Sequence, residues 1–529
     1  MAGLVAIYLQ AYRPARQAAP SDPQPTISTP VAGITYSDCW FPVPDGKAAR
    51  CGRLLAPETA GVTNGRFVRL PFVVFKAAMD ESEAPLVFLH GGPGEPADLD
   101  REGVARWFGL IDQSDWLKRQ DLIVFDQRGA GLAEPSLKCP EMQSAGYDIF
   151  VGRLSNEAAV IRWARAAKSC RDRLTEAGIP LDSYNTEASA GDLTALLSGL
   201  GYSSWNLYGV SYGTRLALAF LRQHPTGIRS VILDSVYPPN VHAYVEAPSN
   251  AARAFATLFE DCDRNLPCRM ANPHLAASFR ELTLRAVDAP LQVPFGTDAD
   301  SARAVSAVAN LDSAKLIEVL FGGFYSWQDI SRLPEIISAA SRGETKPLTP
   351  LVDEALETYQ SPDFSYGMFL STECHDDWSY DTPAAIEHAA VSADNFAPFA
   401  RANLPVIACP VWRVGSAPAS FHDPVRSAAP VLILTGDYDP ITPPAWAAAA
   451  AATLPLSTVI HFPGIGHGIL ASHRCADQLA VRFLSDPTKP PYHDCLIEVS
   501  AGPWSQRADA PSVTPTTARG SSARAKVRK

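Results

Sequence analysis

Residues 205–223, WNLYGVSYGTRLALAFLRQ, decide the fold class of this 529-residue chain. The first six residues predict a strand, and the last nine, from Arg215, predict a helix. Between them lies Gly209-Val210-Ser211-Tyr212-Gly213, a G-x-S-x-G motif in the strand-to-helix context where it forms a nucleophile elbow. The glycines are needed because a side chain at either position would clash in so tight a turn. We therefore expect Ser211 to stand at the strand end, with the backbone N–H of Tyr212 free to bind an oxyanion.

Further strand signals lie on both sides of this stretch and alternate with helical segments. Such alternation is typical of a mainly parallel sheet with helices on both faces, which is an α/β fold. The predicted strands are Pro71 to Lys76, Pro85 to Leu89, Leu122 to Phe125, Ser230 to Leu233, Val431 to Leu434 and Thr458 to Phe462.

The pattern changes between Pro238 and about Ala429, where helical segments dominate and strand signals are few. We interpret this block as a helical insertion at the carboxyl edge of the sheet. The predicted divisions are a flexible leader or clipped signal at 1–35, a first core part at 36–237, the mainly helical insertion at 238–429, a second core part at 430–500 and a disordered basic tail at 501–529.

Composition and charge exclude several classes of protein. The chain has 47% hydrophobic and 19% charged residues, which excludes wholesale disorder. Its net charge of −11 argues against a general nucleic-acid binder, because such proteins carry basic surfaces. There is no run of 18 or more apolar residues, so no membrane-spanning helix is expected.

Ten cysteines are scattered as short-range pairs over the chain. No C-x-x-C pair and no zinc-finger spacing occurs among them, which argues against a metal cluster. The pattern favours a disulfide-bearing protein that is secreted or periplasmic, since cytosolic thiols are kept reduced; ten buried free thiols are the alternative. The apolar stretch Gly3 to Tyr12 has no preceding Lys or Arg, so the signal peptide is incomplete.

A second glycine-rich motif, His90-Gly91-Gly92-Pro93-Gly94, directly follows the strand that ends at Leu89. Its irregular backbone can point N–H groups at a substrate oxygen, and the chain order suits an oxyanion-hole loop. Gly92 is the expected second donor, and Gly91 is the alternative. Taken alone, the motif would equally well be a structural turn.

An acid is expected later in the chain than the nucleophile. Asp439 follows the strand Val431 to Leu434 and lies in the loop beyond its carboxyl end. From there a carboxylate can reach an imidazole. Asp437 is the local competitor, and it is the better candidate for capping or bracing the loop.

The base is expected after the last strand, in Gly464-Ile465-Gly466-His467-Gly468. Flanking glycines let His467 approach Ser211 without steric obstruction. His461 and His473 are nearby alternatives, but His461 falls inside the strand. In this arrangement the histidine accepts the serine proton, the carboxylate stabilises the imidazolium, and no metal or organic cofactor is required.

The combination of these motifs with Asp126-Gln127-Arg128-Gly129 resembles the proline iminopeptidase and tripeptidyl aminopeptidase branch of the α/β-hydrolases, over roughly Cys39 to Cys495. The resemblance implies an α/β-hydrolase core with a helical cap, and an exopeptidase that acts on free peptide N-termini. It also implies the disulfides Cys39–Cys51, Cys139–Cys170, Cys262–Cys268, Cys374–Cys409 and Cys475–Cys495.

Aminopeptidases of this kind anchor the substrate ammonium group with cap carboxylates. Glu373, Asp376 and Asp377 are the candidates here, although clustered acids are more often a solvated face. Glu95 replaces the small residue that usually follows the His-Gly-Gly-Pro-Gly loop. It is a candidate for a second ammonium anchor; the alternatives are that it narrows the acyl pocket or does neither. Arg128 is better explained as a buried brace than as a catalytic group.

Three functions remain open from the sequence. The first is an exported serine aminopeptidase acting on short peptides, and the second is an esterase or amidase acting on a small non-peptide substrate with the same triad. The third, a catalytically silent binding module, is disfavoured because Ser211, Asp439 and His467 are all present. The oligomeric state does not follow from the sequence.

Overall fold

The computed structural model describes residues 33–62, 65–77, 84–224, 226–296, 307–492 and 494–496. Its strands are β1 Gly33–Ser37, β2 Ala49–Pro57, β3 Phe67–Phe75, β4 Leu86–Leu89, β5 Leu122–Phe125, β6 Trp205–Val210, β7 Ile228–Asp234, β8 Leu291–Phe295, β9 Ala307–Leu311, β10 Val431–Gly436 and β11 Ser457–Phe462.

Helices connect these strands and fill the insertion. They are α1 Arg101–Gln113, α2 Pro140–Val151, α3 Asn156–Glu176, α4 Thr186–Leu200, α5 Tyr212–Gln223, α6 Ala243–Arg264, α7 Leu266–Ala271, α8 Leu275–Asp288, α9 Ser313–Gly322, α10 Trp327–Ile330, α11 Leu333–Ser341, α12 Thr349–Gln360, α13 Tyr366–Asp376, α14 Pro383–Ser392, α15 Ala397–Arg401, α16 Leu404–Trp412, α17 Pro444–Ala451, α18 Ile469–Ser472 and α19 Arg474–Ser485.

Nine strands form the central sheet, in the order β1-β2-β3-β5-β4-β6-β7-β10-β11. The six strands from β5 to β11 in this order pair in parallel, and β1, β2 and β3 add an antiparallel edge. Both faces are covered: on β4, Val87 and Leu89 pack into one hydrophobic core while Leu86 and Phe88 pack into the other. The prediction of a mainly parallel sheet with helices on both faces is confirmed.

Several element boundaries differ from the predicted ones, and two of these differences have a clear structural cause. The edge strand β1 begins inside the leader predicted for 1–35, because pairing of Ile34 with Leu54 on β2 outweighs the local composition. Residues 1–32 and the tail at 501–529 lie outside the described residues. Helix α5 starts at Tyr212 rather than Arg215, since the turn at the motif leads directly into the helix.

The insertion at 238–429 holds helices α6 to α16 and one antiparallel pair, β8 and β9, that the sequence did not indicate. The insertion also packs against helices that lie outside its own residue range. Helices α2 and α3, assigned from the sequence to the first core part, pack against α12 and α16. The Arg171 guanidinium, for example, donates a 2.6 Å hydrogen bond to the carbonyl of Val411. We call residues 238–429 the cap and note that α2 and α3 support it.

All ten cysteines are paired, in the arrangement that the family resemblance implied. Two of the five bridges lie wholly within the cap, Cys262–Cys268 and Cys374–Cys409. None of the described helices is both long and apolar enough to cross a membrane.

Candidate active site

Ser211 lies at the sharp turn between β6 and α5. Its backbone has φ 55° and ψ −126°, a conformation that residues with a side chain rarely adopt. The flanking glycines permit the turn, because a Cβ on Gly209 would lie 2.4 Å from the carbonyl oxygen of Gly213, and a Cβ on Gly213 would lie 1.9 Å from that of Leu89. The Ser211 amide donates a 3.0 Å hydrogen bond to the carbonyl of Asp234 on β7.

His467 and Asp439 lie in neighbouring loops beyond β11 and β10. Nδ1 of His467 is 2.9 Å from Oδ2 of Asp439, and both side chains are buried. Asp439 also accepts hydrogen bonds of 2.9 Å from the amides of Ile441 and Thr442 and one of 2.6 Å from the Thr442 hydroxyl. Burial opposes ionisation of Asp439, but His467 and these hydrogen bonds outweigh it and lower the pKa of Asp439. The imidazole is therefore held by an ionised carboxylate.

The competing residues lie elsewhere. A carboxylate oxygen of Asp437 is 3.7 Å from Nδ1 of His461, whose side chain is 54% exposed on β11. His473 caps α19, where its Nδ1 accepts a 3.0 Å hydrogen bond from the amide of Cys475. None of the three lines either of the two cavities that contain Ser211.

Two cavities meet at Ser211. The larger, of ≈ 230 Å³, is also lined by His467, His90, Phe88 and Trp327. Nε2 of His467 makes no hydrogen bond to any described residue. Ser211 and the imidazole thus share one cavity wall, and this nitrogen is available to accept the serine proton.

The smaller cavity, of ≈ 80 Å³, contains Ser211 and one carboxyl group, that of Glu373. Aromatic rings form much of its remaining wall; they belong to Tyr237, Tyr244, Tyr325, Phe369 and Trp446.

The expected oxyanion donors surround the same serine. Gly91 lines the larger cavity and Gly92 the smaller one. The φ of Gly92 is 109°, and a Cβ there would lie 2.8 Å from the nitrogen of Gly94, so only glycine fits this loop. Tyr212 is the first residue of α5, where a backbone N–H has no partner within the helix.

Comparison with known proteins now identifies the family. A family model described as "alpha/beta hydrolase fold" matches residues 84–473. The chain belongs to this family. The serine protease Hip1 of Mycobacterium tuberculosis is 25% identical over 511 residues, which cover 90% of this chain and 92% of that protein. Carboxylesterase B of the same organism is 26% identical over 465 residues, or 84% and 86% of the two chains.

A third relative is the tripeptidyl aminopeptidase of Streptomyces lividans, which is 28% identical over 221 residues, covering 40% of this chain and 39% of that protein. With these relatives, the chain is a serine hydrolase of the α/β-hydrolase family, of the type that the sequence motifs resembled. The relatives include peptidases and an esterase, so the family alone does not choose the bond that is cleaved.

Among the acids expected to bind substrate in this α/β-hydrolase, Glu373 is the one that reaches a cavity. It lies on α13, is buried, and accepts a hydrogen bond from the Tyr244 hydroxyl. Burial, and then the nearby Asp377, raise the pKa of Glu373 to about 8, although Arg215 and Tyr244 act in the opposite direction.

Asp376 and Asp377 are fully buried and engaged in structural contacts. Asp376 accepts a 3.3 Å hydrogen bond from the amide of Thr186 and one of 2.8 Å from His375. Asp377 forms an ion pair with Arg215 of α5 and accepts a 3.1 Å hydrogen bond from the Tyr237 hydroxyl. Neither carboxylate lines a cavity at Ser211, so the cluster is a buried network and not a solvated face.

Glu95 also lies outside both cavities. Its buried carboxylate is 3.6 Å from Nδ1 of His90, within the proposed oxyanion loop at residues 90–94 and the residue that follows it. Burial, and then Asp98, raise the pKa of Glu95 to about 8. Arg128 is the buried brace that the sequence suggested, since it forms two 2.7 Å hydrogen bonds with Asp192.

Sequence reasoning missed two contributors to the site. Thr442, whose hydroxyl lies 3.2 Å from Nδ1 of His467, carries no signal beyond its position three residues after Asp439. Arg215 follows Ser211 by one helical turn and is fully buried, with its guanidinium 3.5 Å over the Tyr237 ring. An arginine directly before the apolar run Leu216 to Leu221 was the available sign of a buried ion pair.

Proposed function

We propose that this chain is an exported serine aminopeptidase that removes residues from the free N-termini of short peptides. The observation that carries the proposal is the single buried carboxyl group of Glu373 in the cavity that also contains Ser211. A carboxylate bound to an ammonium group in a desolvated site makes a strong, charge-assisted hydrogen bond. Glu373 is thus the proposed anchor for the substrate's amino terminus.

In the proposed reaction, Ser211 Oγ attacks the scissile carbonyl carbon while its proton passes to Nε2 of His467. Asp439 holds the imidazole in the required tautomer and stabilises the imidazolium. The N–H groups of Tyr212 and Gly92, with Gly91 as the alternative, bind the oxyanion; each such donor is worth roughly 3–4 kcal/mol in comparable sites.

The C–N bond then breaks as His467 returns the proton to the leaving amine. The acyl group remains on Ser211, with its amino terminus at Glu373 in the smaller cavity, and the leaving group departs through the larger cavity beside His467. Water then attacks the acyl carbon while His467 accepts its proton. The acid is released as the imidazole returns that proton to Ser211 Oγ.

The five disulfides support export, because disulfides persist in oxidising compartments and are rare in cytosolic proteins. Thiol titration of the denatured, unreduced protein tests this point: no free thiol is expected, and ten would contradict export.

An esterase acting on a small substrate is the second candidate. It is favoured by the similarity to carboxylesterase B and by the aromatic walls of both cavities, which suit an apolar acyl or alkyl group. The same serine, histidine and aspartate would cleave either bond.

A matched substrate panel separates the two. It comprises free and N-acetylated prolyl, alanyl and tripeptidyl aminocoumarin amides and a short-chain aryl ester, each with wild type, Ser211→Ala and Glu373→Gln. Cleavage of free but not acetylated amides, lost in Ser211→Ala and weakened in Glu373→Gln, is the expected result. Turnover of the ester alone would instead favour the esterase.

A further inference from the structure

Two consecutive side chains at the end of β7 bind the backbone that immediately follows His467. The carboxylate of Asp234 accepts hydrogen bonds of 2.7 Å and 2.9 Å from the amides of Ile469 and Leu470. The hydroxyl of Ser235 accepts one of 2.9 Å from the amide of Gly468. Three successive amides of the histidine loop are therefore fixed by one dipeptide.

The same dipeptide is joined to the strands on either side. The carbonyl of Asp234 accepts the 3.0 Å hydrogen bond from the amide of Ser211, at the end of β6. The amide of Ser235 donates a 3.0 Å hydrogen bond to the carbonyl of Leu434 on β10. Since β7 lies between β6 and β10, this dipeptide connects the serine turn directly to the loop that carries the histidine.

The local backbone supports a functional reason for this arrangement. Ser235 has φ 57°, a left-handed conformation that costs free energy in a residue with a Cβ. Asp234 is fully buried. A buried carboxylate is usually paired with a cation, but that of Asp234 accepts hydrogen bonds from two backbone amides. Strained backbone and buried charges persist where the surrounding structure fixes them, and such features cluster at active sites.

We propose that Asp234 and Ser235 are positioning residues that hold the imidazole of His467 toward Ser211 through the backbone of the histidine loop, and that Asp234 does so as a carboxylate. Neither residue touches the substrate; both act through the histidine loop. The inference rests on the proposed catalytic roles of Ser211 and His467, and it is independent of whether the substrate is a peptide or an ester.

The titratable surroundings of both groups define the expected pH effect. Around Asp234, the hydroxyl of Tyr208 on β6 lies 3.3 Å from Oδ2, the hydroxyl of Ser235 lies 3.5 Å from Oδ1, and His467 lowers the pKa of the carboxyl group electrostatically. Facing His467 are Asp439 and the ring of Tyr325, whose centroid lies 5.1 Å from that of the imidazole. Burial raises the pKa of Asp234 to about 6 against the opposing effect of the amides and the histidine, so the carboxylate is ionised at pH 7.

The test compares Asp234→Asn and Ser235→Ala with a control, Thr435→Val. Thr435 lies on the adjacent β10, is fully buried, and its hydroxyl has no hydrogen-bond partner among the described residues. The measurements are the rate of Ser211 labelling by a fluorophosphonate, the kcat/KM for p-nitrophenyl acetate from pH 5 to 9, and the melting temperature.

Asp234→Asn is expected to lower kcat/KM about 100-fold, the effect of a misplacement of about 1 Å in an active site. It should also flatten the acidic limb of the profile below about pH 6, because burial raises the pKa of Asp234 to about 6 and an asparagine has no carboxylate to protonate there. Ser235→Ala should lower kcat/KM by about tenfold, within the range for one lost hydrogen bond, and leave that limb in place. The control should match wild type.

Every other outcome overturns a specific part of the inference. Wild type that resists labelling would overturn the role of Ser211 and this inference with it. If the wild type is labelled at Ser211 but kcat/KM is unchanged in both Asp234→Asn and Ser235→Ala, the positioning role alone is overturned. A slower Asp234→Asn whose acidic limb matches that of wild type would overturn the requirement for an ionised Asp234. If Asp234→Asn fails to fold, the rate of Ser235→Ala decides the positioning role.

Discussion

Replacing Glu373 by glutamine should remove a pH optimum near 8 from the hydrolysis of substrates with a free amino group. The carboxyl group must be ionised and the substrate amine protonated for the proposed ion pair to form. Burial, and then Asp377, raise the pKa of Glu373 to about 8. The α-amino group has an ordinary pKa of about 7.7–8.0, so the two groups titrate over the same range.

The size of the effect follows from these two values. With both pKa values taken as about 8, the fraction in which both groups carry their charge is about 8% at pH 7, about 25% at pH 8 and about 8% at pH 9. The kcat/KM of a free-amine substrate should therefore rise about threefold from pH 7 to pH 8 and fall about threefold by pH 9. An aryl ester without an ammonium group should show a plateau over the same range.

The assay is initial-rate hydrolysis of alanyl aminocoumarin amide and of the aryl ester from pH 6 to 10, with wild type, Glu373→Gln and Glu95→Gln. Glu95 provides the matched control, because burial also raises its pKa to about 8 but it lines neither cavity at Ser211. The optimum should survive in Glu95→Gln and disappear in Glu373→Gln. An optimum that persists without the Glu373 carboxylate, or that the ester shares, would refute the reasoning.

Three further predictions concern the catalytic pair and the framework. Asp439→Asn should lower kcat about 10⁴-fold through loss of the correct imidazole tautomer, with a circular-dichroism melt close to that of wild type as the control. Replacing Cys374 and Cys409 by alanine opens a bridge between residues 35 apart and should lower the unfolding free energy by about 4 kcal/mol in urea titrations. Asp192→Ala leaves the Arg128 guanidinium buried without its carboxylate and should cost about 3–5 kcal/mol, much of which Arg128→Met in the same chain should recover.

The parts of the fold that the sequence predicted are those governed by local rules. β4, β5, β6 and β10 are short apolar runs because both faces of a parallel sheet are covered, and their predicted positions agree with the structure to within two residues. The contact between Asp439 and His467 could be predicted for a related reason: each follows a strand, and the carboxyl ends of parallel strands meet at one edge.

What the sequence did not predict depends on contacts between distant segments. The packing of α2 and α3 on the cap joins residues more than 200 positions apart, as in the bond from Arg171 to Val411. The choice among Glu373, Asp376 and Asp377 was open for the same reason. Their helix directs each to a different partner, and the arginine that neutralises Asp377 lies 162 residues earlier in the chain.

A structural link connects the proposed anchor to the oxyanion loop. The amide of Ser365, which caps α13, donates a 2.8 Å hydrogen bond to the carbonyl of Gly94, and a Cβ on Gly94 would lie 2.5 Å from the Ser365 carbonyl oxygen. The loop and the helix that carries Glu373 are thus in direct backbone contact. This backbone contact fixes the spacing between the proposed anchor and the proposed oxyanion loop, as a positioned substrate would require. A side chain at Gly94 would displace α13 and the loop together, so it should impair ammonium binding and oxyanion stabilisation at once.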